Sequence, residues 1–168
     1  MSEAVAVFLG PKVIGDVVFR QRRNGVVVIA HFTALPPGKH GFHIHKAGDL
    51  RGEGCKAACD HWHKGGPTEH GGPPSHNGPR HTGDLGNVEI KENRTDYKKE
   101  YFLRDVTVTE LYGRSLIVHA DGDDFGKGGH EDSLTTGHSG ARLACVIIGR
   151  VMPSCKASNV TRKNKKQQ

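Results

Sequence analysis

The sequence has no apolar run near the ~18 residues that a membrane-spanning helix needs, which excludes a helical membrane protein. Its first residues, MSEAVAVFLGPKVIGD, contain no basic n-region and no long apolar stretch. A secretory signal is therefore not expected, and the expected location is cytoplasmic. No ten-residue stretch has helical periodicity, and no segment repeats, so helical bundles and solenoids are excluded. Acidic residues are absent from positions 154–168, which hold Lys156, Arg162, Lys163, Lys165 and Lys166. That tail carries most of the formal charge of +6, so the body does not read as a nucleic-acid-binding surface. Binding of a polyanion by charge alone is the minor reading of the tail; a solvated, disordered end is the main one. Hydrophobic residues are only 35% of the 168 residues, but 23 glycines bring the apolar share into the globular range. One domain over 1–153 followed by the tail 154–168 is expected.

What the sequence does have is a series of short β-type runs. They cover 4–9, 13–20, 26–32, 41–45, 85–91, 97–108, 115–119 and 143–151. Asn24-Gly25 reads as a hairpin turn between the second and third. Two long stretches, 47–82 and 120–142, are rich in Gly, Asp and His and have no periodicity. Loops of that length in a compact domain are functional or are held by something other than a core. Eight strands and two such loops point to an all-β fold, an antiparallel Greek-key barrel or sandwich.

Twelve histidines are many for this length, and most lie in or beside the two loops. In Gly41-Phe42-His43-Ile44-His45, a strand sends both imidazoles to one face and Phe42 and Ile44 to the other. With His61-x-His63, His70, His81, Asp84 and His119, the pattern indicates metal binding, since neutral imidazole suits copper and zinc. A metal would also clamp a long loop that lacks a core of its own. The sequons Asn93-Arg94-Thr95 and Asn159-Val160-Thr161 read as accidental in the absence of a secretory signal.

Five segments, in this order, resemble the motifs of copper/zinc superoxide dismutases, including members carried by large DNA viruses. They are Gly41–His45, His70-Gly71-Gly72-Pro73, His81-Thr82-Gly83-Asp84-Leu85-Gly86-Asn87, Leu116-Ile117-Val118-His119 and Gly140-Ala141-Arg142-Leu143-Ala144-Cys145. The resemblance covers about 4–152. It implies that His43, His45, His61 and His119 bind copper, and that His61, His70, His81 and Asp84 bind zinc. His61 would bridge the two ions and carry a proton in the redox cycle. Asp123 would link a copper-side to a zinc-side histidine, and Arg142 would attract superoxide. His40 reads as structural. The zinc loop departs from the family, with one extra residue between His61 and His70 and two between His70 and His81. His63 and His76 are thereby rival ligands, and His130 and His138 read as solvated loop histidines. Asp121 and Thr135 stand where relatives often carry steering lysines, so attraction of the substrate would fall to other residues such as Lys127.

Four cysteines allow three full pairings. The resemblance selects Cys55–Cys145, which leaves Cys59 and Cys155 spare, with free thiols as the main reading and a second bridge as the minor one. It also implies a homodimer through the last strand and the loop containing Cys55, with Leu111, Tyr112, Ile148 and Val151 as apolar contributors. A non-catalytic metal-binding homologue, a copper-delivery domain or decoy, is the alternative. It is disfavoured because no copper histidine is missing and no Met-x-Cys-x-x-Cys or Cys-x-Cys module is present.

Overall fold

A computed structural model describes residues 2–91 and 96–152. The tail 154–168, Cys155 and both glycosylation patterns lie outside the described residues. The strands are β1 (Glu3–Leu9), β2 (Ile14–Arg22), β3 (Gly25–Ala34), β4 (Gly38–His45), β5 (Asp84–Ile90), β6 (Tyr97–Arg104), β7 (Ser115–His119), β8 (Arg142–Ile147) and β9 (Gly149–Arg150). A 3-10 turn at Glu53–Ala58 and the helices α1 (Val108–Leu111) and α2 (Ser133–Thr136) complete the fold. One sheet has the order β6-β3-β2-β1-β9 and the other β5-β4-β7-β8, and every pairing is antiparallel.

The ninth strand is a continuation of the eighth. At Ile148 the chain bonds to Arg114 and Gly113 instead of to β7, and from the next residue it pairs with β1 in the other sheet. The predicted run 97–108 is a strand only to Arg104. Asp105 takes φ 57°, and Thr107 with Glu110 forms a capping box that starts α1. The hairpin between β2 and β3 has Arg23 and Asn24 in its loop, one residue earlier than the Asn-Gly signal suggests. Gly25 is instead the first paired residue. Its glycine is needed because a Cβ there would lie 2.1 Å from the Leu103 carbonyl oxygen on β6.

Alternation fills the space between the sheets. Ala4, Ala6 and Phe8 of β1, with Phe19 and Phe32 of the same sheet, form one buried cluster with Phe42, Ile44 and Leu116 of the other. Phe32 meets Phe42 edge-on at 5.7 Å, which joins the two sheets. Each such side chain contributes about 1.5–3 kcal/mol by leaving water. The opposite faces of β4 and β7 carry the histidines, and the loops 46–83 and 120–141 fold over them. The Cys55–Cys145 disulfide ties the first loop to β8 across 90 residues, a closure that contributes roughly 4–5 kcal/mol in the chain-entropy picture. Leu111 and Ile148 are fully buried within the chain, so neither is available to a partner. The exposed apolar residues nearby are Ile147 and Met152. Among the described residues no helix is long and apolar enough to cross a membrane.

Candidate metal centre

Strand geometry sets the first half of the centre. His43 and His45 lie on one face of β4, and His119 ends the neighbouring β7. The register slips between Gly41 and His43 and again between Val118 and His119, bulges that re-aim the side chains beside them. His61 joins through an isolated bridge to His45. Ligand-type nitrogens of His43, His45, His61 and His119 fall within 4.8 Å of one another, and all four residues are buried.

Each ring has one nitrogen engaged and one left over. His43 donates from Nε2 to Asp123 Oδ2 at 2.7 Å, and His45 from Nδ1 to the Cys59 carbonyl at 2.7 Å. His119 donates from Nδ1 to the Gly140 carbonyl at 3.2 Å. The other nitrogens, His43 Nδ1, His45 Nε2, His61 Nε2 and His119 Nε2, are buried and have no hydrogen-bond partner. Buried polar atoms without partners are costly, and four of them converging is the donor set of a soft or borderline metal ion. Burial, reinforced by neighbouring histidines, lowers the pKa of His45 to about 2 and that of His119 to about 3. His43 and His61 are lowered by burial as well. All four rings are therefore neutral and offer lone pairs at physiological pH.

The second half is built from a loop. His70 and His81 come from the long first loop, and Asp84 is the first residue of β5. His61 Nδ1 lies 2.8 Å from Asp84 Oδ1, His70 Nδ1 3.2 Å from His61 Nδ1, and His81 Nδ1 3.3 Å from Asp84 Oδ2. All four ligand atoms lie within 4.8 Å of one another, a spacing compatible with one tetrahedral ion, whose ligands stand about 3.3 Å apart. Burial alone would raise the Asp84 pKa, but His61, His70 and His81 hold it far below the usual carboxylate range. Backbone N–H groups of Gly71 and His81 also donate to its Oδ2. Burial pulls on His70 in the downward direction, yet Asp123 and Asp84 outweigh it and raise its pKa to about 9.

Asp123 connects the halves, since its Oδ1 accepts from His70 Nε2 at 2.8 Å while Oδ2 accepts from His43. Asn87, quoted above only as part of a motif, holds Asp123 through its backbone N–H and carbonyl, at 2.7 and 2.9 Å. Gly137 was invisible to sequence reasoning. A Cβ there would lie 2.3 Å from Asp123 Oδ1 and 2.4 Å from His70 Nε2.

The rival histidines stay out of both groups. His63 accepts at Nδ1 from the Thr82 N–H, and His76 packs edge-on against Phe125. His40 uses both nitrogens on carbonyl oxygens of His119 and Pro36. His130 stacks on His138, with ring centroids 3.7 Å apart. Arg142 donates to the carbonyls of Cys55 and Cys59 and lines a channel of about 900 Å³ that opens onto His61 and His119. Lys46, Asp60, Asp132 and Thr135 line it too, whereas Lys127 and Asp121 do not. Lys46 is paired with Asp60 at 3.1 Å, which leaves Arg142 as the unpaired cation of the channel among the described residues. Cys59 holds both a copper-type histidine and Arg142 through its carbonyl, from a backbone at φ 62°, ψ −150°. That region is almost exclusive to glycine.

The family model for copper/zinc superoxide dismutase matches residues 13–148. The chain is 43% identical over 152 residues to the Cu-Zn superoxide dismutase of Paramecium bursaria Chlorella virus 1, covering 87% of this chain and 77% of that protein. The crystal structure of the clock protein EA4 superposes with a TM-score of 0.77 at 37% identity, over 89% of this chain and 94% of that one.

Proposed function

The chain belongs to the copper/zinc superoxide dismutase family, and from that premise we propose which of its residues do the work. It is an enzyme that converts two superoxide ions and two protons to dioxygen and hydrogen peroxide, with copper and zinc as cofactors. His43 Nδ1 and the Nε2 atoms of His45, His61 and His119 would hold copper; His61, His70, His81 and Asp84 would hold zinc. When bound, copper supplies the one-electron redox chemistry, and zinc, which has none, supplies fixed charge and shape. The observation that carries this reading is the convergence of four partnerless buried imidazole nitrogens, three of them on residues that line the channel.

Arg142 draws the anion. Its guanidinium is fixed by two carbonyls, keeps its charge, and presents its remaining N–H donors beside the copper-side histidines. His61 Nε2 is the atom that takes up a proton and passes it to the reduced product. Asp123 fixes the tautomers of His43 and His70 by accepting from the Nε2–H of each, which turns Nδ1 of both rings inward. Measuring superoxide decay per bound copper tests the assignment. Arg142→Ala is expected to slow decay about tenfold or more with metal content unchanged. An unchanged rate would remove Arg142 from this role.

A homodimer, a cytoplasmic place of action (host cytoplasm or virion for a viral protein), and a single domain over 1–153 belong to the same proposal. The exposed Ile147, beside Gly48 of the loop that carries Cys55, supports the dimer. Ile147→Lys should sediment as a monomer where the unaltered chain sediments as a dimer, and a monomeric unaltered chain would reject it.

A further inference from the structure

Between His70 and His81 the chain must run out and return before both imidazoles can meet Asp84. The tip of this excursion, Ser75 to Pro79, is exposed, and the His76 N–H donates to the Pro73 carbonyl at 2.8 Å. The base is buried at Gly71, Gly72 and Pro73. It is also narrow: a Cβ on Gly71 would lie 1.9 Å from the Pro79 carbonyl oxygen, so the outgoing and returning backbones touch there.

Arg80 stands at this base and is half-buried. Its Nε donates to the Gly72 carbonyl at 3.1 Å, on the outgoing limb. Its Nη2 donates to the carbonyls of Thr82 at 3.1 Å and Asp84 at 2.6 Å, on the returning limb. One side chain thus joins the backbone two residues after His70 to the backbone beside His81 and at Asp84. The Asp84 carboxylate makes the complementary set of bonds. Its Oδ2 accepts from the N–H groups of Gly71 at 3.1 Å and His81 at 2.7 Å. Donors of the two limbs therefore converge on one carboxylate, and acceptors of the same two limbs converge on one guanidinium. Burial disfavours the charge on Arg80, and Asp84 favours it. A planar guanidinium holds its bonds in fixed directions, whereas an ammonium is a point charge on a flexible stem.

We propose that Arg80 is the positioning residue of the zinc-side group, closing the base of the 70–81 excursion so that His70, His81 and Asp84 are held together before a metal arrives. The inference rests on the zinc assignment above and adds to it a residue that is not itself a ligand. Length added to the excursion then falls in the tip, where His76 lies, and leaves the spacing of the ligands unchanged.

The test follows cobalt(II) placed in the zinc-side group of the copper-loaded protein, by its visible ligand-field spectrum and by its release to a chelator. Arg80→Gln should release cobalt about tenfold faster or more, with an altered spectrum and copper retained. Arg80→Lys, which keeps a cation without the fork, should fall between Arg80→Gln and the unaltered chain. Val28→Ala, which opens a cavity in the core at β3, should lower the unfolding midpoint and leave spectrum and release unchanged. Release from Arg80→Gln at the unaltered rate would overturn the proposal. Equally fast release from Val28→Ala would overturn it too, by reducing Arg80 to a contributor to general stability. The release rate of Arg80→Lys decides in the same way if Arg80→Gln does not fold. An unaltered cobalt spectrum in His81→Ala would overturn the zinc assignment, and this proposal with it.

Discussion

The two halves of the centre share His61 but are built from different material. The residues proposed to hold copper, His43, His45 and His119, sit on paired strands, with their other nitrogens tied to Asp123 or to backbone carbonyls. The residues proposed to hold zinc, His70 and His81, sit on a loop without regular pairing, and Asp84 is the acid that gathers them. Strands position ligands before any ion arrives. A loop of this kind lacks a core, so an ion or a charge cluster must hold it. The electrostatics follow the same division: burial keeps the copper-side imidazoles neutral, whereas Asp84 and Asp123 hold a proton on His70.

The largest expected effect that separates the halves is the pH dependence of the metal-free protein. The folded pKa of His45, about 2, lies below its unfolded value, so the unfolded chain binds more protons as pH falls below 6.5. Stability is present above that pH and lost below it, by ~3 kcal/mol at pH 4 from His45 alone. The folded pKa of His70, about 9, is raised, so its contribution is complete below pH 6.5 and is lost as pH rises through 9. Denaturant titrations of the metal-free protein should show maximal stability near pH 6.5. Monotonic growth from pH 6.5 to 10 would break the contrast.

A smaller effect belongs to the copper side. Cys59→Gly removes the strain at φ 62° and keeps the carbonyl that His45 and Arg142 use. It should stabilise the protein by about 1–2 kcal/mol with activity unchanged. A loss of stability in equilibrium unfolding would mean that the thiol, not the backbone, matters there.

The sequence made His43 and His45 legible as ligand candidates because their signal is local, whereas the roles of His61 and His119 rested on the family resemblance. His-x-His alternation on β4 places two imidazoles on one face wherever the strand packs. The zinc half needed family resemblance, since nothing local distinguishes His70 and His81 from His63 and His76 in the same loop. What escaped reading depends on contacts between distant parts of the chain. Gly137 matters only because Asp123 and His70 close on it. Leu111 and Ile148 look like surface candidates until α1 and the end of β8 fold onto the core. The Asn-Gly signal marked the right hairpin one residue late, because Gly25 answers to β6 and not to the turn.

Metal content after dialysis of copper- and zinc-loaded His119→Ala and His81→Ala tests the central claim of two separately built halves most directly. His119→Ala should lose copper and keep zinc, and His81→Ala should lose zinc and keep copper. Loss of the same metal from both variants, or retention of both metals by either, would contradict it.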